Sequence, residues 1–224
     1  MNFEIDDQQR DFAFSIDAAL RAADVPAAVR AWADGDTAAG RRVWSQLTDL
    51  GVTALLVPET FDGLDAHPVD LVVALERLGY WAVPGPVTES IAVAPILLAG
   101  LDEWGEWSAR LAAAALIATV ALQPSVPRAV NADVAGLTLL AGDGQVSEAA
   151  PGSAHDSLDP TRKLFDVRAS GPAQRADTAR AYEFGALATA AQLVGAGQAM
   201  LDLSVEYAKQ RTQFGRIIGS YQAI

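Results

Sequence analysis

The sequence of 224 residues contains no cysteine and only two histidines, His67 and His155. Without cysteine the chain has no disulfide framework and no thiolate nucleophile, and a reducing compartment is compatible with it. The two histidines lie far apart in the sequence, so a transition-metal site would depend on carboxylates alone. We therefore predict no metal site, and we expect a cytoplasmic protein.

Basic residues are also scarce. Lysine and arginine number 16 against 28 aspartates and glutamates, which gives a formal net charge of −12. This charge repels nucleic acid and anionic membrane surfaces. Residues 1–7 lack the basic and apolar blocks of a signal peptide, and no apolar run reaches spanning length without a charge, glycine or proline. The composition therefore predicts a soluble protein that neither binds nucleic acid nor inserts into a membrane.

Apolar residues recur at helical spacing through the first half of the chain. Asp6 and Gln9 have the spacing of a capping box in front of the first helix. A later helix is predicted from Pro68 onward, with Gly79 weakening or ending it. The pattern predicts an N-terminal helical domain over residues 1–114.

The middle of the chain has a different pattern. Short apolar runs over residues 116–122, 136–141 and 164–169 are separated by glycine, serine, proline and aspartate, which is typical of short strands and turns. We expect a reduced, β-rich region over residues 115–171. Residues 172–224 return to helical spacing and are expected to form the first part of a C-terminal helical bundle. The predicted fold class is α+β, mostly helical.

The last long helical segment carries one apolar stripe: Leu187, Ala191, Val194, Leu201, Val205 and Ala208. Such a stripe needs partner helices that the remaining ten or so residues cannot supply. We expect those helices to come from another chain or from residues outside this sequence. Gly185, Gly195 and Gly197 would let another helix approach closely, at some cost in helix propensity.

The most informative segment is residues 211–224, Arg-Thr-Gln-Phe-Gly-Arg-Ile-Ile-Gly-Ser-Tyr-Gln-Ala-Ile. Arg211 has a planar guanidinium that fits phosphate oxygens, and Gly215 permits backbone angles that other residues resist. The carboxamide of Gln213 and the ring of Phe214 lie beside them. From spacing alone, a phosphate-bearing ligand and a helix C-terminus whose basic residues offset the helix dipole are equally good interpretations.

Three segments resemble one family. Residues 207–224 are similar to the corresponding helix-turn-helix of the flavin-dependent acyl-CoA dehydrogenases, residues 44–63 to the pattern of that family's first domain, and residues 157–167 to the segment before the last strand of its middle domain. They span most of the chain in the family's order. The resemblance implies an acyl-CoA dehydrogenase-like fold and chemistry in which a glutamate removes the substrate α-proton while a hydride passes from the β-carbon to flavin.

The resemblance also implies a cofactor site. In the family, an arginine of the turn and a glutamine eleven positions later reach across a subunit interface to FAD that the neighbouring chain mainly holds. The matching residues are Arg211 for the pyrophosphate and Gln222 for the adenosine side, while Phe214 matches an aromatic ring beside the adenine. With Gln213, these residues form the predicted cofactor-binding set, for FAD shared with a partner subunit.

Other motifs of the family are missing. Where the family has Thr-Glu-Pro followed by Gly-Ser-Asp, which grip the flavin ring, residues 119–127 read Thr-Val-Ala-Leu-Gln-Pro-Ser-Val-Pro. The arginine of the family's Asp-x-x-Arg, which meets CoA, falls on Ala186. The position of the catalytic glutamate lies beyond Ile224. We therefore predict no catalytic residue in this sequence.

The resemblance thus implies a subunit, non-catalytic itself, of a heteromeric FAD-dependent acyl-CoA dehydrogenase. It resembles the degenerate subunit of the α2β2 enzymes that actinobacteria use on bulky CoA thioesters such as steroid side chains. A full-length acyl-CoA dehydrogenase partner would bind most of the acyl-CoA. One alternative is a fragment of a homomeric dehydrogenase, which Ala186 argues against. The other is a flavin-free scaffold subunit, which the retained Arg211 and Gln222 argue against.

Overall fold

The structure, a computed structural model, describes residues 4–99, 101, 105–113 and 116–221. Within these residues the helices are α1 (Asp7–Ala22), α2 (Val25–Ala33), α3 (Ala38–Asp49), α4 (Pro68–Tyr80), α5 (Ala94–Leu98), α6 (Gly105–Ala112) and α7 (Thr178–Gln210). The strands are β1 (Ala118–Leu122), β2 (Ala129–Val130), β3 (Leu137–Gly142), β4 (Gln145–His155), β5 (Leu164–Ala169), β6 (Gln174–Arg175), β7 (Thr212–Gln213) and β8 (Arg216–Ile217). The predicted fold class, α+β and mostly helical, is confirmed.

The first four helices bury a continuous apolar core. At the start of α1 the Asp6 side chain accepts a hydrogen bond from the Gln9 backbone N–H at 2.8 Å, and the Gln9 side chain accepts one from the Asp6 N–H at 3.1 Å. This capping box satisfies two N–H groups that the helix leaves unpaired. The core side chains are fully buried and come from α1, α3 and α4: Ile16, Leu20, Leu47, Leu71, Leu75 and Leu78.

Six strands form one sheet in the order β1-β3-β4-β5-β2, with β6 beside β4. β1 and β3 are parallel, and the other pairs are antiparallel. β4 is the longest strand because it pairs with β3 along its first half and with β5 along its second half. The Thr119 hydroxyl in β1 donates to the Val130 carbonyl in β2 at 2.7 Å. The two end strands of the sheet therefore lie side by side, and the sheet curls back on itself.

α7 has 33 residues and is about 50 Å long at 1.5 Å per residue. Three hydrogen bonds hold it at successive points: Gly144 N–H to Thr178 Oγ1 at 3.1 Å, Thr88 hydroxyl to Gln192 Oε1 at 2.7 Å, and Tyr80 hydroxyl to Asp202 Oδ2 at 3.0 Å. α7 therefore begins beside the sheet, crosses the region before α5, and passes the end of α4.

Small residues form the face of α7 that packs against the rest of the chain. The buried residues of α7 are Ala181, Ala188, Ala191 and Gly195. A Cβ atom on Gly195 would overlap the carbonyl oxygen of Glu76 in α4, and one on Gly79 would overlap the carbonyl oxygen of Gln192 in α7. The backbones of α4 and α7 therefore approach closely at two points, because glycine leaves room there.

Large apolar residues lie on the other side of α7. Between 41% and 72% of the surface of each is exposed: Leu193, Val194, Met200, Leu201, Leu203, Val205 and Tyr207. Three of the six residues of the predicted stripe, Val194, Leu201 and Val205, are among them, and Ala191 is the member of that stripe that is buried. By length and composition alone, α7 is long and apolar enough to span a membrane. In its most apolar stretch of 18 residues, 22% is buried. A bundle helix whose partners lie outside the described chain meets the same criterion.

We predict opposite effects of adding one methyl group at two glycines of α7. Gly195→Ala should lower the free energy of unfolding by about 1 to 3 kcal/mol, because the methyl group overpacks the contact with α4. A methyl group on Gly197 would meet no atom of the described residues within 4 Å. Gly197→Ala should raise the free energy of unfolding by about 0.5 to 1 kcal/mol through helix propensity. Urea unfolding of both variants checks this, and equal effects would contradict the close approach of the helices.

Candidate functional site

The predicted cofactor-binding residues lie on a β-hairpin that follows α7. The helix ends where Arg211 becomes extended, with φ −72° and ψ 122°, and β7 then pairs with β8 in antiparallel fashion. Phe214 and Gly215 form the two-residue turn between these strands, with φ values of 51° and 80°. Positive φ at both positions is the geometry of a type I′ turn, which matches the twist of paired strands. Gly215 therefore permits the turn that presents Phe214.

Contacts on its C-terminal side hold the hairpin in place. The Ile218 N–H donates to the Arg211 carbonyl at 2.8 Å, and the Tyr221 hydroxyl donates to the Gln213 carbonyl at 3.3 Å. The Arg216 guanidinium lies 3.8 Å from the centre of the Tyr221 ring, a cation–π contact. Arg216 therefore stabilises the hairpin through the Tyr221 ring, although it is exposed like Arg211.

Arg211, Gln213 and Phe214 are all exposed, and Phe214 exposes 94% of its surface. Among the described residues, no side chain forms a hydrogen bond or ion pair with the Arg211 guanidinium. Gln222 lies outside the described residues. A guanidinium suits a phosphate group, and an exposed aromatic ring suits stacking on the adenine of FAD. These exposed groups therefore have the chemistry that one end of FAD would require.

A cavity of about 650 Å³ lies between the sheet and the first half of α7. The loop after β1 lines one side with Ser125 and Val126, and Ala186 of α7 lies opposite. The backbone N–H groups of Leu122 and Val126 each donate to the other residue's carbonyl at 2.7 Å. By the resemblance described above, this loop corresponds to the family's flavin-gripping motif, and Ala186 to its CoA-binding arginine. Because the loop's own bonds use these two N–H groups, neither is free to donate to a flavin ring.

Glu89 is a buried acid at the same cavity. It begins the π-helical turn Glu89–Val93 that precedes α5 and exposes 8% of its surface. Its Oε1 lies 3.6 Å from Nη2 of Arg162. Burial away from water raises the pKa of Glu89, and the nearby Arg162 opposes this shift. No sequence motif marks Glu89 as a functional residue, although it is the single charge in the apolar run of residues 87–98.

The hairpin and the cavity lie at different positions along α7. Leu193 is the most C-terminal α7 residue that lines the cavity. Arg211 follows it by roughly five helical turns, about 27 Å at 1.5 Å per residue. Because α7 is a continuous helix across this interval, Arg211 does not reach the cavity of its own chain. Two candidate sites therefore exist, and the predicted cofactor residues belong to the outward-facing one.

Both ends of the sequence match domains of one family. The acyl-CoA dehydrogenase N-terminal domain matches residues 6–114, and the acyl-CoA dehydrogenase C-terminal domain matches residues 177–224. The chain belongs to the acyl-CoA dehydrogenase family. The resemblance found in the sequence is therefore confirmed.

Among curated proteins, the acyl-CoA dehydrogenase IpdE2 of Mycobacterium tuberculosis is 32% identical over 202 residues, covering 89% of this chain and 63% of that protein. IpdE2 of Mycolicibacterium smegmatis is 34% identical over 204 residues, covering 89% of this chain and 64% of that protein. The chain thus spans slightly less than two thirds of the length of these relatives.

Solved structures show the same fold. The ChsE4–ChsE5 complex from Mycobacterium tuberculosis matches with a TM-score of 0.78 at 23% identity, covering 100% of this chain and 72% of that chain. Butyryl-CoA dehydrogenase from Megasphaera elsdenii also matches with a TM-score of 0.78, at 17% identity, covering 100% of this chain and 74% of that chain. At these identities the likeness establishes an acyl-CoA dehydrogenase fold.

We predict that Glu89→Gln stabilises the protein in a pH-dependent way. Because the folded state raises the pKa of Glu89 above its ordinary value of 4.5, stability is lost as pH rises from that value through the folded pKa. Glutamine removes the buried charge, so the free energy of unfolding should increase at pH 8 and change little below pH 4.5. Urea unfolding across this pH range measures the difference. Glu183 is exposed and provides the control, because Glu183→Gln should show no such pH dependence. If Glu89→Gln does not increase the free energy of unfolding at pH 8, the prediction is contradicted.

Proposed function

We propose that this chain is a non-catalytic subunit of a heteromeric, FAD-dependent acyl-CoA dehydrogenase. The observation that supports this most is the separation of its two sites. The hairpin presents Arg211, Gln213 and Phe214 outward, far from the chain's own cavity. These side chains, together with Gln222, then contact FAD that a partner subunit mainly holds.

Each residue of the hairpin has a defined part in this proposal. The Arg211 guanidinium donates two parallel hydrogen bonds to pyrophosphate oxygens, which a planar fork does better than an ammonium group. Phe214 lies against the adenine, and Gln222 donates to the adenosine side. The bound FAD supplies the two-electron oxidation of an acyl-CoA to an enoyl-CoA. The hairpin binds and orients one end of the cofactor and takes no part in proton transfer.

The chain's own cavity supports the non-catalytic part of the proposal. Val126 lies where the family has flavin-gripping residues, and its backbone N–H is bonded to Leu122. Ala186 offers no charge to a CoA phosphate. We assign the base that removes the α-proton, the flavin-ring pocket and most of the acyl-CoA site to the partner. This partner is a full-length acyl-CoA dehydrogenase subunit.

The uncovered face of α7 supports assembly with another chain. Among its large residues, Met200 and Leu203 are more than half exposed, and an apolar surface of this kind marks an interface. One solved neighbour is a ChsE4–ChsE5 complex and another is the Tcur3481–Tcur3483 steroid acyl-CoA dehydrogenase, with a TM-score of 0.78 at 18% identity. We propose a soluble, cytoplasmic α2β2 assembly that acts on a bulky acyl-CoA such as a steroid side-chain thioester.

A homomeric dehydrogenase is the second candidate. The observation that favours it is the length of the curated relatives, of which this chain spans 63% and 64%. Additional residues could supply the rest of the bundle and a catalytic glutamate within one polypeptide. The closed loop at Val126 and the alanine at position 186 argue against it, because even a longer chain would lack these contacts to flavin and CoA.

We predict that Arg211→Ala weakens FAD binding in the assembled complex by ten-fold to over a hundred-fold. This corresponds to about 1.5 to 3 kcal/mol for a hydrogen-bonded charged group. Arg211→Lys should restore part of the affinity, because lysine keeps the charge without the fork. Gln222→Ala should cost less, about 0.5 to 1.5 kcal/mol for a neutral hydrogen bond. Titration of FAD into the apo complex, followed by flavin fluorescence, measures these affinities.

Arg168→Ala is the matched control, because Arg168 is an exposed arginine on β5 outside both sites. It should leave the FAD affinity unchanged. If Arg211→Ala also leaves it unchanged while the complex stays intact, the hairpin is only a helix cap, and the flavin-free scaffold replaces the present proposal.

A further inference from the structure

Asp202 holds the second half of α7 against the rest of the chain. Its Oδ2 accepts a hydrogen bond from the hydroxyl of Tyr80, the last residue of α4, at 3.0 Å, and its Oδ1 accepts one from Gln198 Nε2 at 2.8 Å. Among the described residues, no side chain of α7 after Asp202 forms a hydrogen bond or ion pair with another helix or strand. The last two turns or so of α7 therefore continue beyond this contact.

Tyr80 is itself held by charged groups of α1 and α4. The Arg77 guanidinium lies 5.0 Å from the centre of the Tyr80 ring, and Arg77 forms an ion pair with Asp17 of α1 at 3.3 Å. The Trp81 indole N–H donates to the other Asp17 oxygen at 2.8 Å. The hydrogen bond to Asp202 raises the pKa of Tyr80, so the hydroxyl stays protonated and remains a donor at neutral pH. The contact with α7 is therefore anchored in the helical domain.

The hairpin moves with the end of α7. In the part of the chain that the structure describes, the hydrogen bonds of residues 212–221 join these residues to one another and to Arg211. A Cβ atom on Gly219 would lie 3.0 Å from the Ala208 carbonyl oxygen, so the segment after the hairpin follows the last turns of α7. The direction of α7 beyond Asp202 therefore fixes where the Arg211 guanidinium lies.

A small movement at Asp202 becomes a large one at Arg211. Arg211 follows Asp202 by nine residues, which is about 13.5 Å at roughly 1.5 Å per residue. A tilt of about 10° at Asp202 would displace Arg211 by about 2 Å, whereas a binding group must be held within about 0.5 Å. A phosphate contact by Arg211 therefore requires that the end of the helix is fixed.

We propose that Tyr80 and Asp202 are positioning residues for the contact of Arg211 with FAD. This inference rests on the function proposed above. The hydrogen bond between Tyr80 and Asp202 holds α7 in the direction that presents the hairpin to the partner's cofactor, and neither residue touches FAD. Without this bond the hairpin is less ordered before binding, so FAD binding costs more conformational entropy although every contact to FAD is kept.

The test compares variants of the assembled complex by titrating FAD into the apo complex. Tyr80→Phe removes the hydroxyl and keeps the ring that lies against Arg77. It should weaken FAD binding about three-fold to ten-fold, the range that one hydrogen bond supplies. Asp202→Leu should have the same effect, and the double variant should be no weaker than either single variant, because both groups act through one bond. Asp202→Asn keeps an acceptor oxygen and should retain most of the affinity.

Hydrogen exchange in the apo complex gives a readout that does not depend on FAD. The backbone amides of residues 203–210 should exchange about three-fold faster, or more, in Tyr80→Phe than in the original protein. Thr178→Val is the matched control, because it removes the hydrogen bond with the Gly144 N–H at the other end of α7. It should change neither the exchange of residues 203–210 nor the FAD affinity.

Three results would overturn the proposal: unchanged exchange in Tyr80→Phe, an additive loss of FAD affinity in the double variant, or an equal loss in Thr178→Val. The Arg211→Ala variant separates the positioning role from the function on which it rests. If Arg211→Ala weakens FAD binding and Tyr80→Phe does not, the positioning role alone is wrong. If neither variant changes FAD binding, the hairpin does not contact FAD and both proposals fail.

Discussion

The close approach of α4 and α7 is the constraint on which the rest of the structure depends. Gly79 and Gly195 have no side chains, and the facing backbones occupy the space where side chains would lie. This contact fixes the rotation of α7 about its axis, with its small residues inward and its large apolar residues outward. It also fixes which part of α7 borders the cavity and where the hairpin emerges.

That rotation divides the chain's binding groups between two places. Near the sheet, α7 forms one wall of a cavity. The loop that lines the opposite wall is held by backbone hydrogen bonds between Leu122 and Val126. About 27 Å farther along the helix, Arg211 and Phe214 project from the surface of the chain. They have no partners among the described residues. This separation is the basis of the proposal that the chain contributes to a cofactor at an interface. The exposed face of α7 between the two places supplies the apolar surface that such an interface needs.

Sequence patterns predicted the features that depend on residues close together in the sequence. The capping box at Asp6 and Gln9 is local, and the C-terminal motif was recognisable as a family resemblance. Two elements were not predicted. Helix α2 is short and begins after Asp24, which has a left-handed conformation, and strand β4 contains Pro151 and Gly152. Gly79 was expected to weaken or end α4, and the helix ends one residue later, at Tyr80. The backbone of α7 also approaches closely at Gly79, which the sequence pattern did not indicate. Glu89 carries no motif, and only its burial reveals it. The cofactor-binding roles of Arg211, Gln213, Phe214 and Gln222 stay predictions.

The central claim is that this chain completes a flavin site held by a partner and has no flavin pocket of its own. The most direct measurement is the number of FAD molecules per copy of each subunit in the purified assembly, from flavin absorbance and quantified subunits. The account predicts one FAD for each pair of unlike subunits, and no FAD on this chain when it is purified without its partner. One FAD in every copy of this chain would contradict it.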